Sequence, residues 1–196
     1  MKDVIEHLHE LPLAPDSYIV GSAPCVTDYV DQVPDDAFAI ALNGAYVLRA
    51  HWPAWAIWRA DSMEYPWWPK QRPNVDAVIC GDELAEQVPW TDYTFKYRPV
   101  TTELPQAGIC HGGATIAGSM FLMLCASPKV HRIHLCGIMM HGPIDFDGCS
   151  TKHGDETAWG QYFVFTRWIL WARHNGRGVY SLHPTPFDQF LGEPYV

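Results

Sequence analysis

The residues with chemistry to offer fall in a few short groups, most of them placed where an apolar run ends. Gly21-Ser22-Ala23-Pro24 is a small-residue bend that lets backbone N–H groups approach an anion at a helix start. His111-Gly112-Gly113-Ala114-Thr115 opens an apolar, small-residue stretch and offers amides to a phosphate or ribose in the same way. Asn43, Asp61, Gly137 with His141, and His183-Pro184 close other apolar runs. Neither glycine group spells G-x-G-x-x-G or a Walker motif, so a tight turn or close helix packing stands beside the ligand reading for both. Asp61 likewise reads as a helix N-cap.

Something must carry these groups to one place. Short apolar runs supply candidate strands at Ser17–Ser22, Phe38–Leu42, Trp55–Trp58, Asp76–Cys80, Val130–Cys136 and Gly178–Leu182, with Tyr93–Tyr97 alternating like an edge strand. Between them lie helical patterns: a short amphipathic one over Val4–Leu11, a turn over Asp82–Gln87, a buried one over Gly112–Ala126 and a long one over Glu156–His174 closed by Asn175-Gly176. Strands interleaved with helices predict a Rossmann-like α/β fold, a mostly parallel sheet with helices on both faces. One domain over residues 1–196 is expected, with a small lid loop over about 138–155. In such sheets ligands bind outside the carboxyl ends of the strands, where the polar groups above fall.

Composition narrows the partners. With 48% hydrophobic and 18% charged residues among 196, the chain is globular and not disordered. A net charge of −9 with no basic stripe argues against nucleic acid, whose phosphates need neutralising. The six cysteines form no C-x-x-C pair and lie mostly in apolar runs, as reduced thiols do. No signal-peptide pattern opens the chain, and no apolar stretch reaches the ~20 residues of a membrane span, so a cytoplasmic protein is expected. Cys110/His111, Cys136/His141 and Cys149/His153 lack paired-ligand spacing, and no metal site is expected of them. Trp67 and Trp68, between prolines, are candidates for an acceptor-pocket wall, and self-association is left open by the heavy aromatic load.

The order of these pieces resembles two families. Tyr18 to Pro24, then a strand ending at Asn43 and one ending at Asp61, is similar to the opening of the single-domain bacterial sialyltransferases, and equally to that of the 6-hydroxymethylpterin pyrophosphokinase-like Rossmann-type proteins. Gly112-Gly113 before a small-residue helix, the run Val130 to Ile138, and Val179 to Pro184 are similar to their later blocks. Ala23 stands where those families have a second glycine, Cys25 for a serine, His111-Gly112 for Thr/Ser-Ser, and Met139 for an aspartate.

The sialyltransferase resemblance implies a glycosyltransferase-like enzyme taking a CMP-sugar-like donor by direct displacement. Gly21, Ser22 and Asn43 would then meet the donor phosphate and sugar, and Gly112 and Gly113 the cytidine. His141 falls where that family places a tyrosine near the leaving phosphate, and His153 where it places its general base. A histidine suits the deprotonation of an acceptor hydroxyl near neutrality, and no cofactor is then needed. The pyrophosphokinase-like resemblance implies instead a phosphoryl or pyrophosphoryl transferase with Mg²⁺ on Asp61. A non-catalytic nucleotide-binding protein of phage or mobile-element type is the third alternative.

Overall fold

The computed structural model describes residues 1–58, 60–95, 116–139 and 155–195. Its centre is one eight-stranded sheet. The strands are β1 (Lys2–Asp3), β2 (Asp16–Val20), β3 (Phe38–Leu42), β4 (Trp52–Ile57), β5 (Val75–Gly81), β6 (Tyr93–Phe95), β7 (Arg132–Cys136) and β8 (Gly178–Ser181). Their order across the sheet is β1-β6-β5-β4-β3-β2-β7-β8, and each of these pairings is parallel. The expected Rossmann-like α/β architecture is therefore present.

The unbroken apolar runs arise because both faces of the sheet are covered. Phe38, Ile40 and Leu42 of β3 point into one layer, and Ala39 and Ala41 into the other. The helices divide between those layers. On the first lie α3 (Ile116–Ala126) and α4 (Asp155–His174), which pack on β2, β3, β4 and β8. On the second, among the described residues, lie the four-residue α1 (Val26–Tyr29) and α2 (Asp82–Ala85), packed with Trp52, Trp55 and Trp67.

Helix α3 is buried from Ile116 to Cys125, as its lack of a polar face predicts. It lies hard against α4: a Cβ on Gly118 would stand 2.2 Å from a ring carbon of Trp168. Helix α4 ends as expected, with Gly176 in the left-handed region at φ +77°.

Two local expectations are corrected. Val4–Leu11 is not a helix; it holds only a 3-10 turn over Leu8–Glu10. The reason is that Val4, fully buried, donates its N–H to Thr94 O at 2.8 Å and so continues the β1 pairing. For the same reason β6 is not the edge, since β1 lies outside it. Among the described residues no helix is long and apolar enough to cross a membrane. Most of the expected lid, 140–154, lies outside the described residues.

Candidate functional site

The order in which successive strands are added to the sheet reverses between β2 and β7. Strands β2 to β6 step one way from the centre, and β7 and β8 step the other. A crevice opens at such a switch point, above the carboxyl ends of the strands on either side. Here those ends carry Gly21-Ser22-Ala23-Pro24 and Gly137, so residues far apart in sequence become neighbours.

They approach closely. Gly21 donates its N–H to Cys136 O at 2.7 Å, and Ala23 donates to Gly137 O at 3.2 Å. A Cβ on Gly21 would stand 2.4 Å from Gly137 O, a distance no side chain tolerates. Gly137 has φ +65°, and a Cβ there would come within 2.8 Å of Val26 Cβ. The glycines are thus required by the seam between β2 and β7. With the Gly21 and Ala23 amides engaged and Pro24 having none, the bend does not offer a continuous row of open N–H groups; Ser22 and Cys25 within it are half-buried.

Beside β2, strand β3 ends at Asn43, whose φ of 49° makes it the non-glycine residue in the left-handed region among those described. Asparagine tolerates that conformation better than most residues. Its carbonyl accepts the Trp55 Nε1–H at 2.8 Å, which satisfies a buried indole and fixes the peptide. Among the described residues its carboxamide makes no hydrogen bond, so a polar group is presented at the carboxyl edge. Gly44 follows because a Cβ there would come 2.8 Å from Trp67 Cδ1. Trp67 is 8% exposed and stacks on Tyr65 at 5.5 Å, while the Tyr46 hydroxyl donates to its carbonyl. It is therefore a floor beneath the Asn43 turn; Trp68 beside it is half-buried and retains some open surface.

After β4, Asp61 lies in a 3-10 turn over Ala60–Glu64, again following a strand's carboxyl end. Helix α3 runs back to β7 through a short turn, so its first residue, Ile116, also stands at the carboxyl edge. The His111-Gly112-Gly113 sequence that precedes it lies outside the described residues, as do His141 and His153. Among the described residues no three or more His, Cys, Asp or Glu side chains gather into a metal-holding group.

Sequence reasoning placed His183 at a strand end without giving it a role. It is 5% exposed. Its Nε2 accepts the Gly137 N–H at 2.7 Å and its Nδ1 lies 3.0 Å from Pro184 O. Cys25 Sγ is 3.8 Å from the same Nδ1. That pair is not an activated thiol: burial pushes the Cys25 thiol up, and the imidazole proton at Nδ1 is directed to a carbonyl.

At the opposite, amino edge a cavity of about 470 Å³ is lined by Lys2, Glu10, Pro53, Asp76, Asp92 and Tyr93, among others. Its charges are already paired: Lys2 with Glu10, Arg72 with Asp92, His51 with Asp76. The carboxyl edge is the better candidate.

No family model matches the chain, and no curated protein sequence does. Among solved structures it is similar to the sialyltransferase CstII from Campylobacter jejuni in complex with the substrate analogue CMP-3FNeuAc. The likeness covers 92% of this chain and 86% of that one, at 12% identity and a TM-score of 0.55. At that identity it is a likeness of fold.

Proposed function

We propose that this chain is a glycosyltransferase-like enzyme that takes a nucleotide-activated sugar of the CMP-sugar type. The observation that carries the reading is the topological switch point between β2 and β7, with Ser22 and the Asn43 carboxamide at neighbouring strand ends. The fold likeness to a sialyltransferase whose structure holds a CMP-sugar analogue supports it.

In this reading the nucleotide lies across the carboxyl ends of β2, β3 and β7, with Gly21 to Pro24, Asn43 and Gly137 shaping one side. Gly112 and Gly113 take the cytidine, preceded by His111. An acceptor hydroxyl attacks the anomeric carbon as the bond from that carbon to the phosphate oxygen breaks. The hydroxyl proton passes to His153, the leaving CMP carries away the bonding electrons, and His141 donates a hydrogen bond to its phosphate. No redox step or cofactor is involved.

The test is to mix purified protein with CMP- and UDP-sugars and follow nucleotide release. Turnover with a CMP-sugar, lowered ~10²–10⁴-fold in His153→Ala with CMP affinity retained, is the expected result. Absence of turnover together with absence of a thermal shift by any nucleotide overturns it. Activity abolished by EDTA would favour the phosphoryl-transfer alternative with Mg²⁺ on Asp61. Unchanged nucleotide affinity in His141→Ala and His153→Ala, with no product from any donor, would favour a binding protein.

A further inference from the structure

We infer that His183 is a positioning residue for this site: a neutral imidazole, protonated at Nδ1, that holds the Gly137 peptide and through it the Gly21–Pro24 bend. The inference rests on the reading above that a nucleotide meets that bend.

The hydrogen bonds fix the tautomer. A backbone N–H only donates, so the 2.7 Å contact from Gly137 N requires a lone pair on Nε2. A carbonyl only accepts, so the 3.0 Å contact with Pro184 O requires the proton on Nδ1. One neutral form satisfies both, and the imidazolium satisfies only the second. With both nitrogens engaged, His183 is not free to act as the base of a reaction.

The residue is held at its backbone as well as at its ring. Ser181 Oγ donates to His183 O at 2.7 Å and accepts the His183 N–H at 3.3 Å. The Tyr29 ring, on α1, packs tilted with its centroid 5.6 Å away.

What the ring controls lies two strands away. Gly137 is in the left-handed region, which aims its N–H at the imidazole and its carbonyl at the Ala23 N–H, 3.2 Å distant. The connection therefore runs from the end of β8, through the end of β7, to the turn after β2. It crosses the switch point itself. Without the acceptor at Nε2, the Gly137 N–H would be buried and unsatisfied, and rotating the Cys136–Gly137 peptide to find another partner would move the Cys136 carbonyl on that same peptide, which accepts the Gly21 N–H at 2.7 Å and so anchors the bend. Ser22 and Cys25, the residues the bend presents, would move with it.

Two substitutions separate positioning from plain support. His183→Phe keeps a flat ring and removes the acceptor. His183→Gln carries an amide oxygen about as far from the backbone as Nε2. CMP affinity is measured by calorimetry at a temperature where each variant is folded, with melting temperature recorded separately. The expected result is a loss of about tenfold in His183→Phe, the worth of one buried hydrogen bond, largely recovered in His183→Gln. Wild-type affinity in His183→Phe, or no recovery in His183→Gln, overturns the inference.

Nitrogen-15 spectra supply the independent readout. The wild-type ring should show a protonated Nδ1 and an accepting Nε2; a proton on Nε2 overturns the inference, including in the case where His183→Phe fails to fold. If wild-type protein binds no nucleotide, the reading of the site falls on its own. His183 is then judged by the amide resonances of residues 21–25: displaced in His183→Phe and restored in His183→Gln they uphold its hold on the bend, and unmoved they overturn it.

Discussion

Gly21 and Gly137 meet backbone to backbone across the β2–β7 seam, with 2.4 Å between the place a Gly21 Cβ would occupy and the Gly137 carbonyl oxygen. The obstacle is main chain, which cannot rotate away as a side-chain tip can. Gly21→Ala must therefore push two paired strands apart at their ends, and should cost about 1–3 kcal/mol. Gly137→Ala meets Val26 and also places a side chain in the left-handed region, a further cost of about 1–2 kcal/mol. Urea unfolding of both variants checks this. Stabilities within experimental error of wild type would mean the seam is wider than described.

Asn43 separates backbone from side-chain roles. Its φ of 49° suits glycine as well as asparagine, whereas alanine is strained there by about 1 kcal/mol. Asn43→Gly should thus unfold close to wild type and Asn43→Ala earlier. If the carboxamide contacts the nucleotide, both variants lose CMP affinity to a similar degree despite their different stabilities. Affinity that instead follows stability would assign Asn43 to the turn alone.

How much of this was legible depended on whether the cause was local. Phe38–Leu42 matches its predicted boundaries because a run of five buried residues needs only its own composition to announce a doubly covered strand. The Asn43-Gly44 stop was also readable, since that pair is a familiar left-handed signal. The N-terminal segment was misread because Val4 owes its burial to pairing with Thr94, ninety residues on, and amphipathic spacing cannot express that. Gly21 and Gly137 were both singled out as ligand contacts, but their mutual approach depends on β7 returning beside β2, which neither bend encodes. His183 carried only a faint signal, a histidine just after the last strand and before a proline. Its partners are backbone groups, and these have no signature in sequence.

Acid stability should be sensitive to one ion pair on the second face of the sheet. Arg132 grips both oxygens of Asp16, at 2.6 Å each, and His134 reaches the same carboxylate at 2.9 Å. The Arg132 hydrogen bonds are the main reason that the Asp16 carboxyl is held at about 2, from an ordinary 3.8, with burial opposing them and His134 assisting. A carboxyl depressed in the folded state contributes stability that is complete above the unfolded value and disappears as pH falls through the folded one. The contribution is therefore present above about pH 4 and drains toward pH 2. Because the pair is partly solvated, about 1 kcal/mol is expected after screening. Asp16→Asn should be less stable at neutral pH and show a shallower decline over that acid window, read by denaturant melts at successive pH values. An unchanged acid slope would place the loss elsewhere.

Cys25 offers a way to locate the ligand without mutation. Cys80, Cys125 and Cys136 are buried, and Cys25 is half-buried at the mouth of the β2 bend. Burial pushes the thiols of Cys80 and Cys136 up to about 11 and about 12, and raises that of Cys25 as well. Since the thiolate is the reactive form, iodoacetamide at neutral pH should label Cys25 slowly and these three buried thiols more slowly still. A nucleotide seated against Ser22 and the start of α1 covers Cys25, so saturating CMP should slow its labelling several-fold while leaving the other three unchanged. Peptide mass mapping over a time course follows each site separately. Cys25 labelling at the same rate with and without bound CMP would put the nucleotide away from the β2–β7 switch point.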